Sequence, residues 1–142
     1  MSRTRFVVIF ANFPLLWVSK LQTEIALSTI HSEYVALSHS VRALLPLKSL
    51  IKEVIDNPGI DCENLKFVSS STVYEDNNRA IVVTTSPRMT PKSKHISVKY
   101  HWLMQHVGKE FVIRKIDSEN QKADIFTKGL QGQIFVRISK FL

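Results

Sequence analysis

The sequence predicts an α/β fold, a mixed sheet with helices packed on it, from three observations. Two β-branched and aromatic runs, residues 5–10 and 15–19, flank a turn signal at residues 12–14. Apolar residues then recur at helical spacing: Ile30, Tyr34, Leu37, Val41 and Leu44. Two further short β-rich runs, 72–75 and 111–116, alternate with helical stretches, and helices between strands imply a sheet with helices on its faces.

The first two runs read as a hairpin. An apolar stretch behind two arginines also resembles a leader peptide, but Asn12 and Pro14 interrupt residues 6–18. The stretch is also shorter than the ~20 residues of a membrane span. Strand, turn and strand account for it better, and no membrane association is expected.

Ser28 or Thr29 can cap the helix that follows, expected over 28–45. Pro46 lacks an amide hydrogen and should break it, with a second helical stretch over 47–55 stopped by Asn57, Pro58 and Gly59. Residues 78–85 read as a short helix and 86–93, with two prolines, as a loop. A helix over 96–107 should end at Gly108. Asp117 or Ser118 should cap another helix running to about Lys128, and a last amphipathic segment, after a turn at 129–132, reaches Leu142.

The 142 residues make about one domain, with 44% hydrophobic and 22% charged residues, enough for a core. Four Gly and five Pro exclude a fibrous or low-complexity chain. Nineteen Lys and Arg against twelve Asp and Glu give a net charge of +7, which favours a polyanionic partner, nucleic acid first. The single cysteine, Cys62, cannot form an internal disulfide and fits a reducing compartment, so an intracellular location, cytoplasmic or nuclear, is expected.

Three carboxylates stand out by position: Glu33 within the first helix, Asp76 at a strand end, and Asp124 within a late helix. Strand ends are where α/β sheets place their sites. A basic and aromatic stretch holds Arg88, Lys92, Lys94, Lys99, Tyr100 and Trp102. Its bases suit phosphate contact and its rings suit the core. His95 and His101 have no acid or cysteine at ligand spacing, so zinc is not expected.

Four segments carry a resemblance to a known family. They are SKLQTEIALSTIHSEYVALS (19–38), VYEDNNRAI (73–81), KSKHISVKYHWL (92–103) and QKADIFTKGL (121–130). In this order they are similar to the motifs of the ribonuclease H domain in copia-type retrotransposon Pol polyproteins. The resemblance implies a ribonuclease H-like fold, with sheet order 3-2-1-4-5, that cleaves the RNA strand of RNA–DNA hybrids. It also implies that Glu33, Asp76 and Asp124 are catalytic metal ligands for two Mg²⁺ ions, which would clamp the attacking water and the leaving oxygen. Arg88, Lys92, Lys94 and Lys99 would contact the nucleic acid.

The sequence departs from the pattern in several places. The family's fourth ligand is an Asp on a first strand, and residues 1–4 hold no acid. The expectation is a domain truncated before that central strand, with Mg²⁺ binding weak or absent. The missing upstream reverse transcriptase segment would then be its natural partner. Loss of the strand should part the hairpin from the strand ending at Asp76, leaving a chain marginal alone that rearranges or takes a strand from another chain. His31, Arg79, Gly129 and Arg5 replace the family's usual acid, small residue, proline and glycine. The alternatives are a non-catalytic nucleic-acid-binding remnant and a decayed transposon fragment.

Overall fold

The structure is a computed structural model that describes residues 2–23, 28–59, 71–85, 97–126 and 129–140. It is a mixed α/β arrangement of four helices and two small sheets among those residues. In chain order come β1 (Arg3–Phe10), β2 (Phe13–Leu21), α1 (Thr29–Ile55), β3 (Ser71–Glu75), α2 (Asn78–Thr85), α3 (Ser97–His106), β4 (Phe111–Lys115), two 3-10 segments (Ser118–Asn120 and Lys122–Phe126) and α4 (Gly132–Ser139).

β1 and β2 form an antiparallel hairpin, Arg3 opposite Leu21 at one end and Phe10 opposite Phe13 at the other. The turn sits one step earlier than its residues suggest. Ala11 and Asn12 both take positive φ, 49° and 66°, as a two-residue turn between right-twisted strands requires. Pro14 therefore lies inside β2, where the register shifts between Val8 and Ile9. A proline has no hydrogen for a regular ladder at that point.

α1 runs unbroken through Pro46 for 27 residues, so the expected break does not occur. Pro46 is exposed, which leaves the Arg42 carbonyl open to water. Apolar residues before and after it, Val41 and Leu45, belong to one packed stripe. Burial of that stripe offsets the lost bond. The start is fixed by Ser28, whose Oγ accepts from the His31 amide at 3.1 Å.

β3 and β4 pair in parallel, Ser71 opposite Phe111 through Glu75 opposite Lys115. The core cluster joins this pair to α1 and α3 through Tyr34, Leu37, Val41, Leu103 and Phe111, all buried. The helix expected from residue 117 is instead the two 3-10 segments. Asp117 makes no side-chain capping bond, and Ser118 Oγ donates to Asp76 Oδ2 at 3.0 Å. Gln121, extended at ψ 99°, then separates two short runs closed by i to i+3 bonds.

The two sheets do not join. β1 pairs only with β2, and β3 only with β4. A cavity of about 940 Å³ lies between the β1 and β3 edges and is walled by α1. β1 begins beside the start of α1, where Gln22 Nε2 donates to Thr4 Oγ1 at 3.3 Å and to the Ser32 carbonyl at 2.8 Å. β3 ends in the same neighbourhood, because Glu75 feels the charge of Glu33. Across the cavity, β1 and β3 therefore run in opposite directions.

The continuous helix carries a stability prediction. Pro46→Ala should stabilise the protein by about 2 kcal/mol. The interior proline costs about 3 kcal/mol, less up to about 1 kcal/mol for the freer unfolded chain. Urea unfolding followed by circular dichroism measures the difference. A loss of stability would contradict an unbroken α1.

Candidate functional site

The end of the cavity next to the start of α1 is acidic. Glu33 projects from the second turn of α1, and Glu75 is the last residue of β3. Alternation along β3 exposes Thr72 and Tyr74 and buries Glu75, on the side shared by half-buried Val73. Asp76 follows as the chain leaves the strand. Asn77 then caps α2: its Oδ1 accepts from the amides of Arg79 at 2.9 Å and Ala80 at 3.3 Å. The acid–acid–Asn order thus serves local geometry as well as charge, because the cap turns the chain immediately after the two carboxylates.

The three carboxylates predicted to form the site occupy different surroundings. Glu33 and Asp76 are half-buried and line the cavity, and Asp76 accepts the Ser118 hydroxyl. Asp124, on the second 3-10 segment, is 2% exposed, and Arg5 Nε stands 2.7 Å from its Oδ1. Arg5 belongs to β1, so this ion pair fastens the hairpin to the late 3-10 segment. Arg88, Lys92 and Lys94 lie outside the described residues, and Lys99 falls on α3. Trp102 is half-buried against the core, with the Arg42 guanidinium 5.2 Å from its ring centroid.

Two residues not counted among the site candidates sit at its centre. Glu75 is 7% exposed, and its carboxyl is raised from 4.5 to about 7. Burial is the main cause, and the charges of Glu33 and Asp76 add to it. The Asn77 amide, donating to Oε1 at 3.0 Å, and the Arg5 guanidinium act against it. Strand alternation, with Val73 and Glu75 on one side, is the signal that could have identified Glu75. Arg5 is visible in sequence only as a substitution for the family's usual glycine, and no spacing ties it to Asp124.

What this cluster can do follows from its charges. Glu33, Glu75 and Asp76 lie close enough to perturb one another, and such a group takes up protons or cations readily. Among the described residues, however, no three His, Cys, Asp or Glu side chains are arranged to hold a metal ion. Asp124 already has a cation, Arg5. The residues as placed therefore do not fit a two-metal centre.

The raised carboxyl makes stability depend on pH. Between about 4.5 and 7 the folded protein keeps a proton on Glu75 that the unfolded chain has lost. This contribution falls as pH rises through that window, by about 3 kcal/mol in all. Glu75→Gln should remove it. Urea unfolding at pH 4 and pH 8 should show the wild type losing about 3 kcal/mol more than the variant does on going to the higher pH. Equal losses in the two proteins would place the Glu75 carboxyl in water.

No family model matches the chain, and no solved structure matches it. Curated relatives do match. A retrovirus-related Pol polyprotein from transposon TNT 1-94 of Nicotiana tabacum is 30% identical over 128 residues, which is 89% of this chain. Those from transposons RE2 and RE1 of Arabidopsis thaliana are 24% and 23% identical over 98% and 94% of the chain. The chain spans about 9% of the length of each of these relatives. Across nearly its whole length, then, this chain is homologous to a stretch of retrovirus-related transposon Pol polyproteins.

Proposed function

We propose that the chain is the ribonuclease H-like segment of a copia-type Pol polyprotein, and that by itself it binds nucleic acid without cleaving it. In an intact member of that family, Glu33, Asp76 and Asp124 would hold Mg²⁺ for hydrolysis of the RNA strand of a hybrid. The observation that carries the non-catalytic reading is the ion pair between Arg5 and buried Asp124, at 2.7 Å. A guanidinium on that carboxylate competes with any divalent cation for the same lone pairs, and removing it leaves a buried charge uncompensated.

Binding is supported by the excess of 19 bases over 12 acids. Arg88, Lys92, Lys94 and Lys99 are the residues proposed to meet phosphates. Contacts of this kind release counterions, so affinity should fall steeply with salt, by about 0.7–0.9 in log K per log salt for each phosphate neutralised.

A labelled RNA–DNA hybrid tests both parts. With Mg²⁺, the wild-type chain should leave the hybrid uncut while retarding it at low salt and releasing it at high salt. Cleavage lost in Asp76→Asn would overturn the non-catalytic reading and establish the nuclease. Failure to bind at low salt would remove the nucleic-acid reading altogether.

Arg5→Ala tests the competition for Asp124. In metal-free buffer it should lower stability by about 3–5 kcal/mol, the cost of leaving one partner of a buried pair alone. Millimolar Mn²⁺ should restore part of that loss in the variant and have little effect on the wild type, as read by thermal unfolding. Equal responses to Mn²⁺ in both proteins would show that Arg5 does not exclude a metal from Asp124.

A further inference from the structure

We infer that the cavity between the two sheets is an acceptor site for one extended peptide strand, supplied in trans by a separate polypeptide, which joins the sheets by main-chain hydrogen bonds on both sides. This inference stands on the strand edges and holds whether or not the acidic end has any catalytic role.

The edges come first. The Gln22 amide donates to the Ser2 carbonyl at 2.9 Å, which sets the parity of the hairpin ladder. Up to the shift after Val8, even-numbered residues of β1 face β2. The main-chain groups of Arg5 and Val7 therefore point away from it, toward the cavity they line. On the opposite side, the Ile116 amide donates to the Glu75 carbonyl at 3.1 Å, so Ser71, Val73 and Glu75 bond to β4. Thr72 and Tyr74 then present their N–H and C=O groups to the same cavity. Two strand edges thus face each other, and among the described residues no backbone partner serves these four.

The space fits one strand. A six-residue strand is about 20 Å long and takes about 4.8 Å of sheet width and about 10 Å of layer thickness, roughly 1000 Å³ in all. The cavity measures about 940 Å³. Because β1 and β3 run oppositely across it, an inserted strand pairs parallel with one and antiparallel with the other, giving a five-stranded mixed sheet. On the α1 side, Leu44, Leu47 and Ile51 line the cavity and are only half-buried, so they offer an apolar surface to alternate side chains of the strand. A small apolar ligand could cover those three side chains, but it would leave the amides and carbonyls on both edges unanswered. A strand satisfies both. The homologous Pol polyproteins, of which this chain spans about 9%, carry ample further polypeptide to supply one.

Hydrogen exchange read by mass spectrometry tests the site on the full chain. The probe is an acetylated peptide of about eight residues alternating valine and threonine. At a concentration about ten times its Kd, it should slow exchange about tenfold in both the β1 and β3 segments. The same peptide N-methylated at alternate residues should protect neither. Val7→Pro removes a cavity-facing amide and no bond to β2, so it should keep its circular dichroism spectrum and lose peptide protection. If that variant fails to fold, the comparison of the two peptides on the wild type decides alone.

Four results would overturn the inference. Protection of neither edge at millimolar peptide is the first, and equal protection by the N-methylated peptide is the second. Protection of both edges in the free, monomeric protein would mean that the chain fills its own cavity. Protection that appears with rising protein concentration and no peptide would mean that a second copy fills it.

Discussion

Everything in this molecule is held in register by one helix with two working sides. Tyr34, Leu37 and Val41 of α1 pack against Leu103 and Phe111, which ties the helix to α3 and the β3–β4 pair. Residues near the same end of α1 hold the hairpin, through buried Ser32 and Val35 and the Gln22 side chain that reaches the Ser32 carbonyl. No ladder hydrogen bond links the sheets. The helix must therefore supply what a continuous sheet normally would, and it does so by packing alone. That explains how an interior proline is tolerated. A break at Pro46 would detach the half of α1 that carries Leu45 and walls the cavity.

The hairpin is the weakly attached part. On β2, Phe13, Trp17 and Leu21 are more than half exposed, so much of its apolar content yields no burial. Two-stranded ribbons are marginal by themselves and need a packed face. Besides α1, the main attachment is the late 3-10 segment, where the Arg5–Asp124 pair adds charge to packing. A buried pair of this kind contributes little net stability, because desolvation cancels most of the attraction. Its effect is positional: Asp124 can be buried only where Arg5 stands, so the pair fixes which end of β1 meets the segment.

Parts of this arrangement were open to reading in the sequence, and the reasons for the rest are local. Helical spacing in α1 marked its buried side, since Tyr34, Leu37 and Val41 are all core. The cap at Ser28 was legible because it needs only a hydroxyl before the first turn. Three features were not legible. Pro46 signals a break by its own chemistry, and only tertiary burial on both sides overrides it. The late helix failed because Ser118, which looks like a cap, spends its hydroxyl on Asp76, 42 positions away. Arg5 pairs with Asp124 across more than a hundred residues, and no periodicity carries such a contact. Of the acids, Glu33 and Asp76 were identified by position, but the more perturbed group is their neighbour Glu75. Its burial depends on strand alternation, and charge inspection alone does not reveal that.

The cavity and the acidic cluster are one physical system, because the same residues bound both. Glu33, Glu75 and Asp76 line the end where β1 begins and β3 ends. A strand placed between those edges would displace water from the carboxylates and lower the local dielectric. Like charges would then repel more strongly, and protons or cations would be held more tightly. Linkage makes that effect mutual: whatever neutralises the acids must favour the strand by the same factor. Arg5 sits where the two meet, with its main chain on the open edge and its guanidinium on Asp124. A strand pairing with β1 would fix the Arg5 backbone, and a cation replacing its side chain would release it from Asp124. The state of the acidic end is therefore set by what fills the gap beside it.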